Sequence, residues 1–207
     1  MISILGTHAK ILKGVEELVF KYGIKNITMD EISRHMGISK KTIYQYFKDK
    51  DEMIHHLIAH KLKEDECIFQ KTHEESENVV DETFTLMKNM REVLSNINPI
   101  IFYELHKYYP KTYLLFDNFK HGFVLERIEN SLIKGQKDGL IRTGINIKVL
   151  SRMRLENLDL GFFGRAFPHD KYNMIEVQLA MTEHFLYGVC TLKGHKLINK
   201  YKNIVEE

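Results

Sequence analysis

Residues 28–50 leave the chain little choice of local structure, because two short runs of helical spacing flank a glycine there. Thr28 followed by Glu31 forms a capping box, in which the hydroxyl accepts from an orphan amide of the first turn and the carboxylate reaches back to the cap. A helix is therefore expected to begin at about Thr28. Met29, Ile32 and Met36 fall on one apolar stripe, with Asp30, Ser33 and Arg34 facing water. Gly37 frees the backbone for a turn, and Ser39 supplies the next cap. In residues 39–47, Ile43 and Phe47 are spaced to pin the second helix to the first, which leaves Lys40, Lys41, Thr42, Tyr44, Gln45 and Tyr46 mostly outward. Two tyrosines around a glutamine are costly as plain surface. They suit contacts to phosphates and base edges.

The rest of the chain has the same period. Residues 9–22 carry Ile11, Val15, Leu18 and Tyr22 on one face and stop at Gly23, completing a three-helix unit. Asp49 and Glu52 cap a long helix running towards Glu75, and the polar stretch 73–78 ends it. Helices are expected over residues 79–97, from Asn98 and Pro99, from about Pro110 to Gly139, and over 146–166 and 173–193. No alternation of period two persists beyond a few residues, and neither repeats nor low-complexity tracts appear. The fold class is all-α with about nine helices: a helix-turn-helix domain over residues 1–55 and a larger helical domain over 56–207.

Composition narrows the function classes. With 43% hydrophobic and 28% charged residues the chain resembles an ordinary globular protein, and no segment has the apolar length of a membrane span. No signal peptide is read at the N-terminus, so the expected location is cytoplasmic. Cys67 and Cys190 are the two cysteines, too few for a disulfide framework or a four-thiolate metal site. The net charge of +2 lies wholly in the first 55 residues, where nine Lys/Arg face seven Asp/Glu. Four of those lysines fall within residues 39–50, where a footprint on a polyanion belongs.

The segment from about Ile11 to Leu57 resembles the N-terminal DNA-binding domain of the tetracycline-repressor (TetR) family of bacterial transcriptional regulators. The residues that carry the resemblance are the entry Thr28 to Ile32, the turn Met36, Gly37, Ile38 and Ser39, the run Ile43, Tyr44, Tyr46 and Phe47, and Lys50 to Met53 opening the next helix. It covers about a quarter of the chain. The resemblance implies a homodimer that represses transcription from a palindromic double-stranded DNA operator until a small-molecule ligand releases it. It makes Lys41, Thr42 and Gln45 candidates for base contact, and Thr28, Ser39, Lys40, Tyr44, Tyr46 and Lys50 candidates for phosphate contact. Lys41 departs from the family pattern, where glycine is frequent, and either reads guanine or adds a phosphate contact.

The resemblance also implies a ligand pocket in the C-terminal half. Phe84, Met87, Phe102, Tyr103, Tyr113 and Phe116 are its candidates, although rings this dense also suit plain core. A four-helix bundle with a second copy is implied for the last two long helices. Leu155, Leu158, Phe162, Phe163, Val177, Met181, Phe185 and Val189 are the interface candidates, and Gly161, Gly164 and Gly188 would permit close approach.

His56 and His60, with Glu52 and Glu64 one turn to either side, have metal-ligand spacing, but a solvated helix face explains them more simply. No metal or other cofactor is expected. No Gly-rich phosphate loop, nucleophile elbow or zinc-hydrolase spacing is present, which argues against an enzyme. A helical scaffold that binds another protein, with minor DNA contact, stands as the alternative.

Overall fold

The computed structural model describes residues 2–163 and 166–204, with side chains from residue 6 onward. Its order is α1 (Ile2–Tyr22), α2 (Met29–Met36), α3 (Lys40–Tyr44), α4 (Lys50–Glu75), α5 (Val79–Leu94), α6 (Ile100–Tyr108), α7 (Pro110–Phe119), a π-turn (Lys120–Val124), α8 (Leu125–Lys137), α9 (Ile147–Phe162), α10 (Met174–Val189) and α11 (Leu192–Tyr201). Among the described residues there is no sheet, and an isolated bridge joins Ile141 to Cys190. The all-α class stands.

Caps set most boundaries. Asn78, Asn146 and Asn173 each accept first-turn amides of α5, α9 and α10. The long pattern from Pro110 to Gly139 is interrupted at Lys120–Val124, where the hydrogen bonding shifts to π geometry. The run 173–193 breaks at Cys190 because Thr191 caps a further helix, α11, through the Gly194 amide. Helical period alone does not separate that helix from α10. The expected extension of α9 to residue 166 passes through Gly164 and residue 165, which lie outside the described residues.

The chain divides into two compact units, residues 1–65 with 96–117, and residues 66–95 with 118–207. This differs from a cut after residue 55. Ile101 and Leu105 of α6 enter the same core as Ile11, Val15, Ile32, Ile43, Phe47 and Ile54, so α6 packs as part of the first unit. In the second unit Val79, Val80, Leu132, Ile141, Leu186 and Ile198 form one core, and Val124, Leu125 and Leu155 a smaller one. No described helix is long and apolar enough to cross a membrane.

Candidate nucleic-acid interface

The first unit builds its outward face from the turn upward. Thr28 is an extended N-cap whose Oγ1 accepts from the Glu31 amide at 3.2 Å, while Glu31 Oε2 accepts from the Thr28 amide at 2.7 Å. These bonds to Thr28 hold the Glu31 carboxyl below the usual carboxylate range. Gly37 closes α2 in the left-handed conformation, φ 65°, donating to the Arg34 carbonyl. Ser39 Oγ then accepts from the Thr42 amide at 3.1 Å and starts α3.

Ile43 and Phe47 are buried at 0% and 1% exposure, so the two pins behave as the spacing predicts. Each contributes about 1.5–3 kcal/mol of burial. Their seating turns Lys40, Lys41, Tyr44 and Gln45 to solvent. Tyr44 remains 51% exposed, an apolar ring with a polar tip standing off the surface of a short helix. Lys40 reaches Asp30 at 2.9 Å, and that bond raises its pKa. Such a face offers cations, hydroxyls and an amide to a polyanion, and the major groove takes a helix of this kind.

Three of the expected contacts are seated differently. Tyr46 is half-buried, packed partly against the core and 6.4 Å from the His8 ring. Thr42 is also half-buried and shares its hydroxyl with Ser39 at 2.9 Å. Lys50 is not directed outward: its Nζ donates to the Ile27 carbonyl at 2.5 Å, and burial lowers its pKa. Here the ammonium ties the start of α4 to the loop before α2.

One residue that helical period does not single out proves central to this unit. Glu104 of α6 is 4% exposed and accepts from the amides of Ile24 and Lys25, which follow α1. A carboxylate at a buried position of an otherwise apolar helix was the available signal.

The ligand-pocket candidates divide between the units. In the first unit the Phe116 ring lies 6.4 Å from that of Phe102 and 6.2 Å from that of Tyr113, between centroids, and Tyr103 is exposed and bound to Lys107. Phe84 stacks on Tyr201 in the second unit, and Met87 is half-buried there. A shallow groove of about 490 Å³ is lined by Glu66, Cys67, Gln70, Lys71, Glu74 and Phe123, and none of the six candidates lines it.

The dimer candidates divide into four that the chain covers itself and four that stay half-buried. Leu155, Val177, Phe185 and Val189 are 1%, 9%, 7% and 2% exposed within a single chain, so their surface is already spent on its own cores. Leu158, Phe162, Phe163 and Met181 are half-buried, and Leu158 packs on the smaller core. Gly161 is buried against the Gln178 amide of the same chain, while Gly188 is exposed. The apolar residues that α9 does leave out are Val149, Met153 and Leu160, at 58%, 44% and 40% exposure. Helical spacing does not separate the two faces of α9, because both carry apolar residues. His60 pairs with Glu64 and His56 meets the His8 ring, and among the described residues no group of three or more His, Cys, Asp or Glu is placed to hold a metal.

Comparison with known proteins agrees with this geometry. Residues 11–57 match the family model described as bacterial regulatory proteins, tetR family. The HTH-type transcriptional regulator YvaF of Bacillus subtilis is 26% identical over 111 residues, 53% of this chain. The match spans 58% of that relative's own length. Among solved structures, the regulatory protein TetR from Rhodobacter sphaeroides superposes with a TM-score of 0.72 at 13% identity, covering 88% of this chain and 98% of that one. FadR from Bacillus subtilis, solved with stearoyl-CoA, gives 0.67 at 17% identity, covering 87% and 98%. These two likenesses establish the fold. The capped α2, the glycine turn and the pinned, outward-facing α3 all lie inside the matched segment, so over residues 11–57 the chain is similar to the bacterial regulatory proteins of the tetR family.

Proposed function

We propose that this protein is a homodimeric DNA-binding transcriptional regulator, a repressor released from a palindromic operator by a small-molecule ligand, and that it works in the cytoplasm. The observation that carries the reading is α3, whose buried Ile43 and neighbouring Phe47 hold Lys40, Lys41, Tyr44 and Gln45 on one exposed face. Lys41 and Gln45 are the base-reading candidates, with Thr42 behind them. Lys40, Tyr44 and the caps Thr28 and Ser39 grip phosphates on either side, and Tyr46 and Lys50 support the face from within.

Val149, Met153 and Leu160 form the apolar stripe that meets a second copy, continued on α10 by the exposed Ala180, His184 and Gly188. A two-fold pair of α3 helices requires half-sites about 34–36 Å apart, or a multiple of that. Ligand release is then a population shift: the effector prefers the dimer whose α3 helices are badly spaced, and weakens DNA binding by that preference.

Selection of bound fragments from random duplex DNA tests the proposal. A recovered inverted repeat bound with nanomolar affinity is the expected result. Recovery of no sequence preference at all would favour the scaffold reading, and turnover of a substrate by the second unit would favour an enzyme.

A further inference from the structure

The histidines of the first unit differ in their partners. His35 meets Glu17 at 3.1 Å, His55 meets the Thr112 hydroxyl at 3.2 Å, and His60 meets Glu64 at 3.6 Å. His8 of α1 and His56 of α4 have ring contacts instead, and among the described residues neither imidazole has a hydrogen bond or an ion pair. Their rings lie 5.6 Å apart, edge to face, and both rest on Phe47, at 4.8 Å from His8 and 5.8 Å from His56. Phe47 is the pin that seats α3, and the Tyr46 ring beside it stands 6.4 Å from that of His8. The Tyr46 hydroxyl is likewise without a hydrogen-bond partner among the described residues.

Three unbonded polar groups thus gather where the chain leaves α3, one from α1, one from the segment after α3 and one from α4. His56 is exposed and the other two are half-buried, so solvent reaches them. For packing alone leucine would serve better than His8, whose ring gives up water on Phe47 without gaining an acceptor. Burial first, then His56 and His60, hold the His8 pKa below 6.5, and the ring is mostly neutral at pH 7. The titratable groups that face it are His56 and His60 from α4 and Tyr46 from the segment after α3. The carboxylates near these are engaged: Glu64 by His60 and Lys61, and Glu52, one turn ahead of His56, by the Lys48 amide. An anion brought within a few ångströms reverses the balance, because it favours the imidazolium, and the proton makes both nitrogens of a ring donors. Duplex phosphates flank a groove-bound helix on either side, and Tyr46 follows directly on the outward residues Tyr44 and Gln45.

We infer that His8 and His56, with Tyr46, form a proton-linked phosphate contact: DNA binding draws a proton onto the His8 ring, and affinity for duplex rises as the solution becomes mildly acidic. The inference rests on the DNA-binding reading proposed for this protein. It adds to that reading a phosphate site outside α3 and a pH dependence that lysine contacts do not supply in this range.

The test is fluorescence anisotropy of the full-length protein with a mixed-sequence duplex of about three helical turns, at pH 8 and at pH 6, each across a salt series. Affinity should be roughly 5-fold higher at pH 6, with a salt slope steeper by up to about one. His8→Gln keeps a neutral donor and should lose both the rise and the steepening while binding as the wild type does at pH 8. His8→Lys carries a fixed charge and should bind at pH 8 as tightly as the wild type at pH 6. His56→Gln removes a like-charged neighbour, lets His8 charge without DNA, and should shrink the rise. A purely structural role for His8 would weaken His8→Gln by the same factor at both pH values and leave the rise intact, and that result overturns the inference. Should His8→Gln fail to fold, His8→Lys and His56→Gln carry the comparison, and an undiminished rise in both overturns it. Duplex bound by the wild type equally at both pH values, or more weakly at pH 6, removes the histidine contact and leaves the DNA reading standing. No binding of duplex at either pH removes the DNA reading and the contact with it.

Discussion

Glu104 Oε2 accepts a hydrogen bond from the Ile24 amide at 2.6 Å, across 80 residues of sequence. The same oxygen accepts from Lys25 at 3.0 Å, so one buried carboxylate satisfies the two amides that follow α1. Asn98 adds a second tie, its amide donating to the Phe20 carbonyl at 2.7 Å. Glu104→Leu strands the buried Ile24 amide and should lower stability by about 2–3 kcal/mol, against a smaller loss for Glu104→Gln, whose carbonyl still accepts. Urea unfolding followed by circular dichroism measures both. Equal losses in the two variants would show that the charge, rather than the acceptor, matters.

Gly23 and Gly37 both adopt left-handed φ, at 83° and 65°, yet they should tolerate alanine differently. A Cβ on Gly37 meets nothing within 4 Å, so Gly37→Ala carries only the conformational penalty of about 1–2 kcal/mol. A Cβ on Gly23 would stand 2.8 Å from Ile100 Cγ2 and 3.0 Å from Glu104 Oε2. Gly23→Ala should therefore be the more damaging of the two, and it should expose the α1–α2 loop to hydrogen exchange.

On a selected operator, Lys40→Ala should weaken binding by a similar factor on all sequences and reduce the salt slope by about one. Lys41→Ala or Gln45→Ala should relax specificity at one base position, with a loss of about 1–3 kcal/mol if the residue reads a base edge. Lys50→Ala separates structure from pattern. With its ammonium on the Ile27 carbonyl, the substitution lowers stability by about 1 kcal/mol and leaves the salt slope unchanged. Fluorescence anisotropy across a salt series decides, and a slope reduced by one would return Lys50 to the phosphate contacts.

Two groups shape stability against pH in opposite senses. Burial first, then the neighbouring His56 and His60, lower the His8 pKa below 6.5. The unfolded chain thus holds the proton more readily, so this contribution is complete above about 6.5 and is lost as pH falls through the folded value. Burial raises the Asp65 carboxyl from 3.8 to about 6. Folded protein holds that proton more readily, so stability falls as pH rises from about 4 to about 6. His8→Gln should flatten the melting curve below neutrality, and Asp65→Asn should raise the melting temperature at pH 7 while leaving it little changed at the acid end.

Met153→Glu or Leu160→Glu should produce a monomer at micromolar concentration, with the melting temperature of the separated chain retained. Leu155→Ala, one position from Arg154 but directed into the core, should instead cost about 2–5 kcal/mol of folding stability. Light scattering coupled to size exclusion distinguishes the two faces of α9.

The helix-turn-helix is legible in the amino-acid order because its determinants are local. The Thr28–Glu31 box, Gly37, the Ser39 cap and the Ile43 and Phe47 pins act within three to five residues of one another, and each occupies the expected place. The caps at Asn78, Asn146 and Asn173 are similarly readable as polar residues ahead of apolar periods. What helical period does not disclose is which of two apolar faces the chain covers itself. Hence Leu155 and Val177 belong to internal cores, while Val149 and Met153 remain on the surface.

Amino-acid order alone thus determined the helical class, the capped turn and the outward placement of Lys40, Lys41, Tyr44 and Gln45, since hydrogen bonds and side-chain contacts one turn apart suffice for them. Tertiary structure decided that Lys50 turns inward to Ile27, that Glu104 anchors the end of α1, and that half-buried Arg154 reaches the Thr182 hydroxyl. Those pairs are separated by 23, 80 and 28 residues. Only the packing of whole helices brings them together, and it is that packing which removes water and gives each buried polar contact its weight.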